Sequence, residues 1–246
     1  MQRFLTILGC AIAFTTVPQF VALAAAAELT FSGQGTIRDS DNLDEGVLFN
    51  ISYVHKSLNG LPVSTVIQQQ DLNGKLLVRE ESEYDSAGRF KSYSMEQFQT
   101  GDRALVEAKS GEVQMLFIQD GKATRASEKL TDDTVAPGAL MAYMSSYTPL
   151  FEKGQKIPVK LAVAERGMVL GFEIAGQGKN CRDSTGDLCV NLSLRLKKLV
   201  KPIFMSFQKS PEGYRPLRVE TPAIVRKQKG SSLEKFTARI DYQKIR

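Results

Sequence analysis

Six glycine-containing turn signals punctuate the first half of the chain, and they restrict its fold more than any other feature. They are Asn59-Gly60, Asn73-Gly74, Ala87-Gly88, Thr100-Gly101, Ser110-Gly111 and Asp120-Gly121. The runs between them are rich in Val, Ile, Phe, Tyr and Thr, as in Leu48–Val54 and Val113–Ile118. Short β-rich runs separated by glycine turns at regular intervals predict an antiparallel meander of hairpins.

The hairpin at Ser86-Ala87-Gly88 carries the densest charge. A three-residue loop with Gly88 left-handed sets Asp85 opposite Arg89, Glu83 opposite Lys91 and Glu81 opposite Tyr93. Side-chain alternation places Glu81, Glu83 and Asp85 on one face. Carboxylates so gathered suit acid–base work or a metal. Facing Arg89 and Lys91, they read instead as solvent-side charge pairs worth about 0.2–1 kcal/mol each.

One helix interrupts the strands. Pro137 suits a first helical turn, and Leu140, Met141, Met144, Tyr147 and Phe151 follow helical spacing. This predicts one main helix near 137–151, with Pro149 bending or ending it and Lys153-Gly154 closing it. Its Met and aromatic stripe either packs on the sheet or lines a ligand pocket, which makes Met141, Met144 and Phe151 candidate ligand contacts. Strands then resume over Ile157–Glu165, Met168–Ala175, Val190–Lys197, Ile203–Phe207, Tyr214–Glu220, Ala223–Lys227 and Leu233–Tyr242. In Val190–Lys197 the apolar residues alternate with polar ones, and Lys198-Leu199 breaks the phase as a bulge would. The fold class is mainly β: a single domain built as a long curved antiparallel meander, or a closed or half-open barrel, with the one helix.

The first 27 residues stand apart. Arg3 precedes an apolar run from Phe4 to Val17, and Ala22–Ala27 supplies small residues before Glu28. That is the order of a secretory signal peptide, with cleavage after one of Ala24 to Ala27. Pro18-Gln19 interrupts the run short of membrane-spanning length. The expected mature domain is therefore residues 28–246, exported to the periplasm of a bacterium or secreted. Ile7-Leu8-Gly9-Cys10 resembles a lipidation box, but the apolar stretch before Cys10 is too short and continues beyond it. Export leaves Cys181 and Cys189 as the remaining cysteine pair in an oxidising compartment, and a disulfide between them stabilises by about 2–3 kcal/mol.

Charge is divided unevenly along the chain. Residues 28–137 carry 11 Lys and Arg against 18 Asp and Glu, whereas residues 138–246 carry 20 against 9. Arg195, Lys197, Lys198, Lys201, Arg215, Arg218, Arg226, Lys227 and Lys229 fall on successive predicted strands. As neighbours they make a positive stripe, with Arg195, Lys197 and Arg218 the candidate contacts for an anionic group. The alternative is that the two halves neutralise each other within the sheet. An exported chain whose aromatics do not interleave with its basic residues is a poor partner for nucleic acid.

Catalytic residue types are scarce. A single histidine, His55, removes multi-histidine zinc sites, and no cysteine cluster suits iron–sulfur. His55 has no adjacent Asp or Cys. Asp39, Asp41, Asp44 and Glu45 form an acidic loop, but Leu43 occupies a position where a calcium loop needs oxygen, so the loop reads as solvated. No cofactor or metal is called for.

The meander, the helix after Pro137, the Leu150-Phe151-Glu152-Lys153-Gly154 turn into a strand, and Tyr214–Glu220 near the end together resemble uncharacterised exported β-sheet proteins of bacteria. These are distantly similar to periplasmic lipoprotein carriers. The resemblance covers most of the mature chain and implies a concave apolar sheet face capped by helices, which holds acyl chains. It transfers no individual binding residue. The expected function is a non-catalytic periplasmic protein that binds an amphiphilic or anionic ligand: a lipid or a lipid-linked glycan, with peripheral membrane contact. The alternatives are an envelope scaffold that binds another protein, and a hydrolase built on carboxylates such as Glu81 or Asp85.

Overall fold

Three of the turn signals adopt the tight geometry that their residues favour. The computed structural model describes residues 28–145, 147–177, 181, 186–194, 202–210 and 213–243. In it Asn59-Gly60, Ser110-Gly111 and Asp120-Gly121 have positive φ at both residues, between 50° and 80°. Two left-handed residues in succession define the type I′ turn, whose twist matches that of the strands it joins.

The strands so joined are β1 (Glu28–Asp39), β2 (Phe49–Leu58), β3 (Leu61–Gln70), β4 (Leu76–Tyr84), β5 (Phe90–Gln97), β6 (Asp102–Lys109), β7 (Glu112–Gln119) and β8 (Lys122–Lys129). After β9 (Thr134–Val135) and two helices, α1 (Leu140–Ser145) and α2 (Thr148–Glu152), come β10 (Lys156–Val163), β11 (Met168–Gly176), β12 (Leu188–Leu194), β13 (Ile203–Ser210) and β14 (Gly213–Pro222). A small hairpin, β15 (Lys227–Lys229) and β16 (Ser232–Glu234), precedes β17 (Thr237–Tyr242).

Fifteen of these strands form one sheet in the order β8-β7-β6-β5-β4-β3-β2-β1-β17-β14-β13-β12-β11-β10-β9. The last strand pairs with the first, so two arms spread from β1 and β17. Strand twist and bulges curl a sheet of this width, and bulges occur at Lys56/Ser57, Gln69/Gln70, Glu83/Tyr84 and Ser206/Phe207. The edge strands β8 and β9 do not pair. The arms meet instead through side chains, as where Glu128 on β8 accepts the Val169 N–H of β11 at 2.8 Å. The result is a curled meander rather than a hydrogen-bonded barrel.

The concavity is filled by the helical segment. A 3-10 turn over Pro137–Ala139 leads into α1, and α2 follows from Thr148. The single helix expected over 137–151 is thus two short ones. Pro149 opens the second instead of ending the first, because its missing N–H is unneeded in a first turn. Gly154, at φ 72°, stops α2 as expected, with its N–H and that of Gln155 bonded back to Phe151 and Leu150. One apolar cluster joins β4–β7, the helical segment and β10–β13.

Two glycines set how closely the segment can dock. A Cβ on Gly138 would lie 2.7 Å from the Tyr93 ring of β5. One on Gly176 of β11 would lie 2.2 Å from the Phe151 carbonyl oxygen at the end of α2.

One end of the concavity is closed by residues 223–236. Ala223–Lys227, expected as a strand, is irregular until Lys227, and Leu233–Tyr242 is broken between β16 and β17. Val225 is instead an end plug, packed with Ile37, Phe49, Ile51 and Ile240. Gln97 and Gln99 hold its neighbours, binding the Ile224 carbonyl and both backbone groups of Arg226. The acidic loop departs from a solvated one for the same reason. Asp39, 6% exposed, and Glu45 share the Lys227 ammonium at 2.7 and 2.9 Å. The Lys227 bond holds the Asp39 carboxyl below its usual range.

The Ser86–Gly88 hairpin is shifted by its bulge. Tyr84 pairs with Phe90 as expected, but Lys91 is the extra residue of the bulge, so Glu83 stands opposite Ser92 and Glu81 opposite Ser94, one residue beyond the expected partners. The charge pairs form nonetheless, Arg89 with Asp85 at 2.8 Å and Lys91 with Glu83 at 3.0 Å.

Replacing Gly176 by Ala forces a methyl into the α2 backbone. This is expected to lower the unfolding free energy by about 1–3 kcal/mol, the range for overpacking, measured from the urea midpoint at unchanged slope. An unshifted midpoint would show that α2 does not bear on β11.

Candidate functional site

The concave face is chemically divided. On the arm from β10 to β13, the inward residues are Ile157, Val159, Leu161, Ile174, Leu188, Val190, Leu192, Met205 and Phe207, all buried and all apolar. Alternation along each strand turns these residues inward and their polar neighbours outward.

The opposite arm carries a polar and aromatic patch on β2–β5, beside the apolar Val78, Val106, Val113 and Met115. Thr65, Gln69, Glu80, Ser82, Tyr84 and Tyr93 are buried there. Tyr53 lies over Gly33, where a Cβ would come within 2.3 Å of its ring. Tyr242 meets Tyr53 edge-on at 5.5 Å. His55 Nδ1 is 2.9 Å from the Thr65 hydroxyl.

Glu80 stands at the centre of this arm. It is 5% exposed, and the Tyr93 hydroxyl donates to its Oε2 at 2.9 Å. Burial pushes its carboxyl up to about 7, against the pull of hydrogen bonds from Tyr93 and Gln69. Burial also raises Tyr93 well above the usual phenol range, and the Glu80 charge adds to this. Tyr84 rises to about 12 by burial. Tyr53 is raised by burial and drawn back by the charge of Arg215. His55 is lowered by burial, which favours the neutral ring. A carboxyl poised near neutrality among phenols can accept or donate a hydrogen bond to a polar ligand group.

The helical segment covers this arm as well. Tyr84 donates to the Ala139 carbonyl at 3.4 Å, and Gly138 lies on Tyr93 and Ser82.

Of the residues singled out in the sequence, Met144 and Phe151 are brought together in the core, 3% and 1% exposed. Met141 is half-buried beside them. Arg218 is not with them. It sits on the convex face, bonded to Asp241 at 2.8 Å, while its neighbour Val219 turns inward. Arg195 and Lys197 lie outside the described residues, as do Lys198, Leu199, Lys201 and residues 1–27 with Cys10. Cys181 and Cys189 stand at disulfide distance, their Cα atoms 5.2 Å apart. Glu81 is ion-paired with Arg79 on the exposed face. The Asp85 carboxyl is held below its usual range, chiefly by the Arg89 N–H. Asp85 is therefore not poised as a general acid.

Glu80 was missed by a reading that followed the charged face of β4. The signal was present: Val78, Glu80, Ser82 and Tyr84 alternate with Arg79, Glu81 and Glu83, and apolar ends on the first set mark it as the inward one.

Two shallow depressions of about 330 and 500 Å³ lie on the outside of β4–β8, sharing Leu105 and Leu116. Among the described residues no group of three or more metal-ligating side chains converges, and no helix is long and apolar enough to cross a membrane. Comparison with family models, curated proteins and solved structures gives no match to this chain.

The raised Glu80 value makes stability depend on pH. The folded protein holds this proton more tightly than the unfolded chain, whose value is near 4.5. The group's stabilisation is therefore complete below that value and lost as pH rises through about 7. The wild-type melting temperature is expected to fall between about pH 5 and 8, and Glu80→Gln to flatten the profile. Superimposable profiles would show that Glu80 is not the buried proton.

Proposed function

We propose that the protein is an exported, non-catalytic binding protein for an amphiphile. The divided concave face carries this reading: an apolar wall on β10–β13 and a polar, aromatic patch on β2–β5 both bear on the helical segment. An amphiphile with an apolar chain and a hydrogen-bonding head matches both walls at once, with the chain against Val190, Leu192 and Met205 and the head towards Glu80 and the tyrosines.

The space is occupied by Met144 and Phe151 when the helical segment is seated. Ligand entry therefore requires that segment to lift. Its parts suit such movement, since α1 has six residues and α2 five. Helices this short have little stability of their own and are held by packing. Anionic or glycan-bearing lipids of the envelope supply ligands of this class. The leader and the Cys181–Cys189 pair support an oxidising, extracytoplasmic location.

Native mass spectrometry of gently purified protein is expected to show adducts in the lipid mass range, and photoreactive acyl chains are expected to label β10–β13. A clean apo mass with no binding on lipid titration would overturn the reading. So would labelling confined to the convex residues Leu105 and Leu116.

A further inference from the structure

We infer that Glu80 is a protonation switch for the helical cover: the neutral carboxylic acid suits the dry site beneath the seated cover, and the carboxylate favours a lifted cover that admits water. The inference rests on the reading that the concavity under the cover receives ligand, and it assigns that site its control.

The contacts form one short path. Glu80 Oε2 takes the Tyr93 hydroxyl at 2.9 Å, and the Tyr93 ring lies against Gly138, where even a Cβ would be 2.7 Å away. Ser82, on the same face of β4, lies 3.3 Å from that Cβ position, and Tyr84 bonds the next carbonyl, that of Ala139. Three successive inward residues of β4 thus bear on the first turn of the cover, directly or through Tyr93.

The surroundings of Glu80 decide the direction. Tyr93 on β5 and Gln69 on β3 donate to it, and both are neutral. From β17, Tyr242 faces it, with Tyr53 of β2 behind, and these phenols are themselves driven upward by burial. Arg215 on β14 acts on Tyr53. Residues 137–149 of the cover contain no Asp, Glu, Lys, Arg or His. The carboxylate is therefore left with two neutral donors in a nearly dry site, and it gains most by admitting water. Water reaches it once the first turn of the cover, seated at Gly138 on Tyr93 and Ser82, moves away. Loss of the proton to solvent favours the lifted cover.

Hydrogen exchange of the full mature protein tests this. Peptides spanning 137–152 are followed from about pH 5.5 to 8.5, with rates corrected for intrinsic exchange. Protection in the wild type is expected to fall at least about tenfold across this range, while peptides from β6 and β7 hold theirs. Glu80→Gln, which keeps the shape and cannot ionise, is expected to stay protected throughout. Tyr93→Phe keeps the ring under Gly138 but removes a donor to the carboxylate, and should move the transition to higher pH. Identical profiles in wild type and Glu80→Gln would overturn the switch, as would protection lost equally in all strands. Native mass spectra with a phosphatidylglycerol titrant at both ends of the range separate the two readings. Switching exchange with no adduct would leave the switch and remove the carrier; adducts with flat exchange would do the reverse.

Discussion

A sheet with one apolar face must cover that face, and here the cover is the seat of the helical segment between the two arms. Fifteen strands curl without their edges pairing, so no ladder of hydrogen bonds closes the structure. Closure comes from Phe151, Met144 and Leu140 packed against both arms in one cluster. Burying a side chain of this size contributes about 1.5–3 kcal/mol, so a few such residues compensate for a missing ladder. The two glycines make the fit possible, because each arm admits helix backbone where any side chain would hold it off. The fold and the proposed site thus depend on one contact surface.

Legibility in the sequence followed the range of the forces. The I′ turns were readable because Asn59-Gly60, Ser110-Gly111 and Asp120-Gly121 encode positive φ within two residues. The hairpin around Gly88 was readable as a hairpin but not in register. A bulge at Glu83/Tyr84 answers to the curvature of the whole sheet, which no local pattern specifies. Ala223–Lys227 has the composition of a strand, yet its backbone is satisfied by Gln97 and Gln99, 127 residues away in sequence. Polar side chains substituting for a neighbouring strand leave no periodic trace. In the site, Met144 and Phe151 could be found by helical spacing. Glu80 was hidden by its charged neighbours Arg79 and Glu81, which belong to the other face.

Among the described residues, charges of both halves of the chain meet in local pairs. Lys227 reaches Asp39 and Glu45 in the acidic half, and this bond fastens the end plug. Arg218, Lys229 and Lys235 are bonded to Asp241, Glu234 and Glu165 within the basic half itself. The exposed edge strand β8 carries Lys122, Arg125, Glu128 and Lys129. Charges on an edge strand oppose pairing with a second sheet.

The interior argues more strongly than the surface. A residue at position 80 that served packing alone would be Leu, or Gln if the Tyr93 hydroxyl needed an acceptor. Glu there lowers stability at neutral pH, since the unfolded chain releases its proton more readily. The same arm buries the hydroxyls of Tyr84 and Tyr93 and the amide of Gln69 where the inward residues of β10–β13 are hydrocarbon or thioether. Hydrogen bonds satisfy these groups while the cover is seated, and they become a row of donors and acceptors once it lifts. That asymmetry is what the proposed amphiphile-binding cavity would use, with hydrocarbon for one end of the ligand and hydrogen-bonding groups for the other.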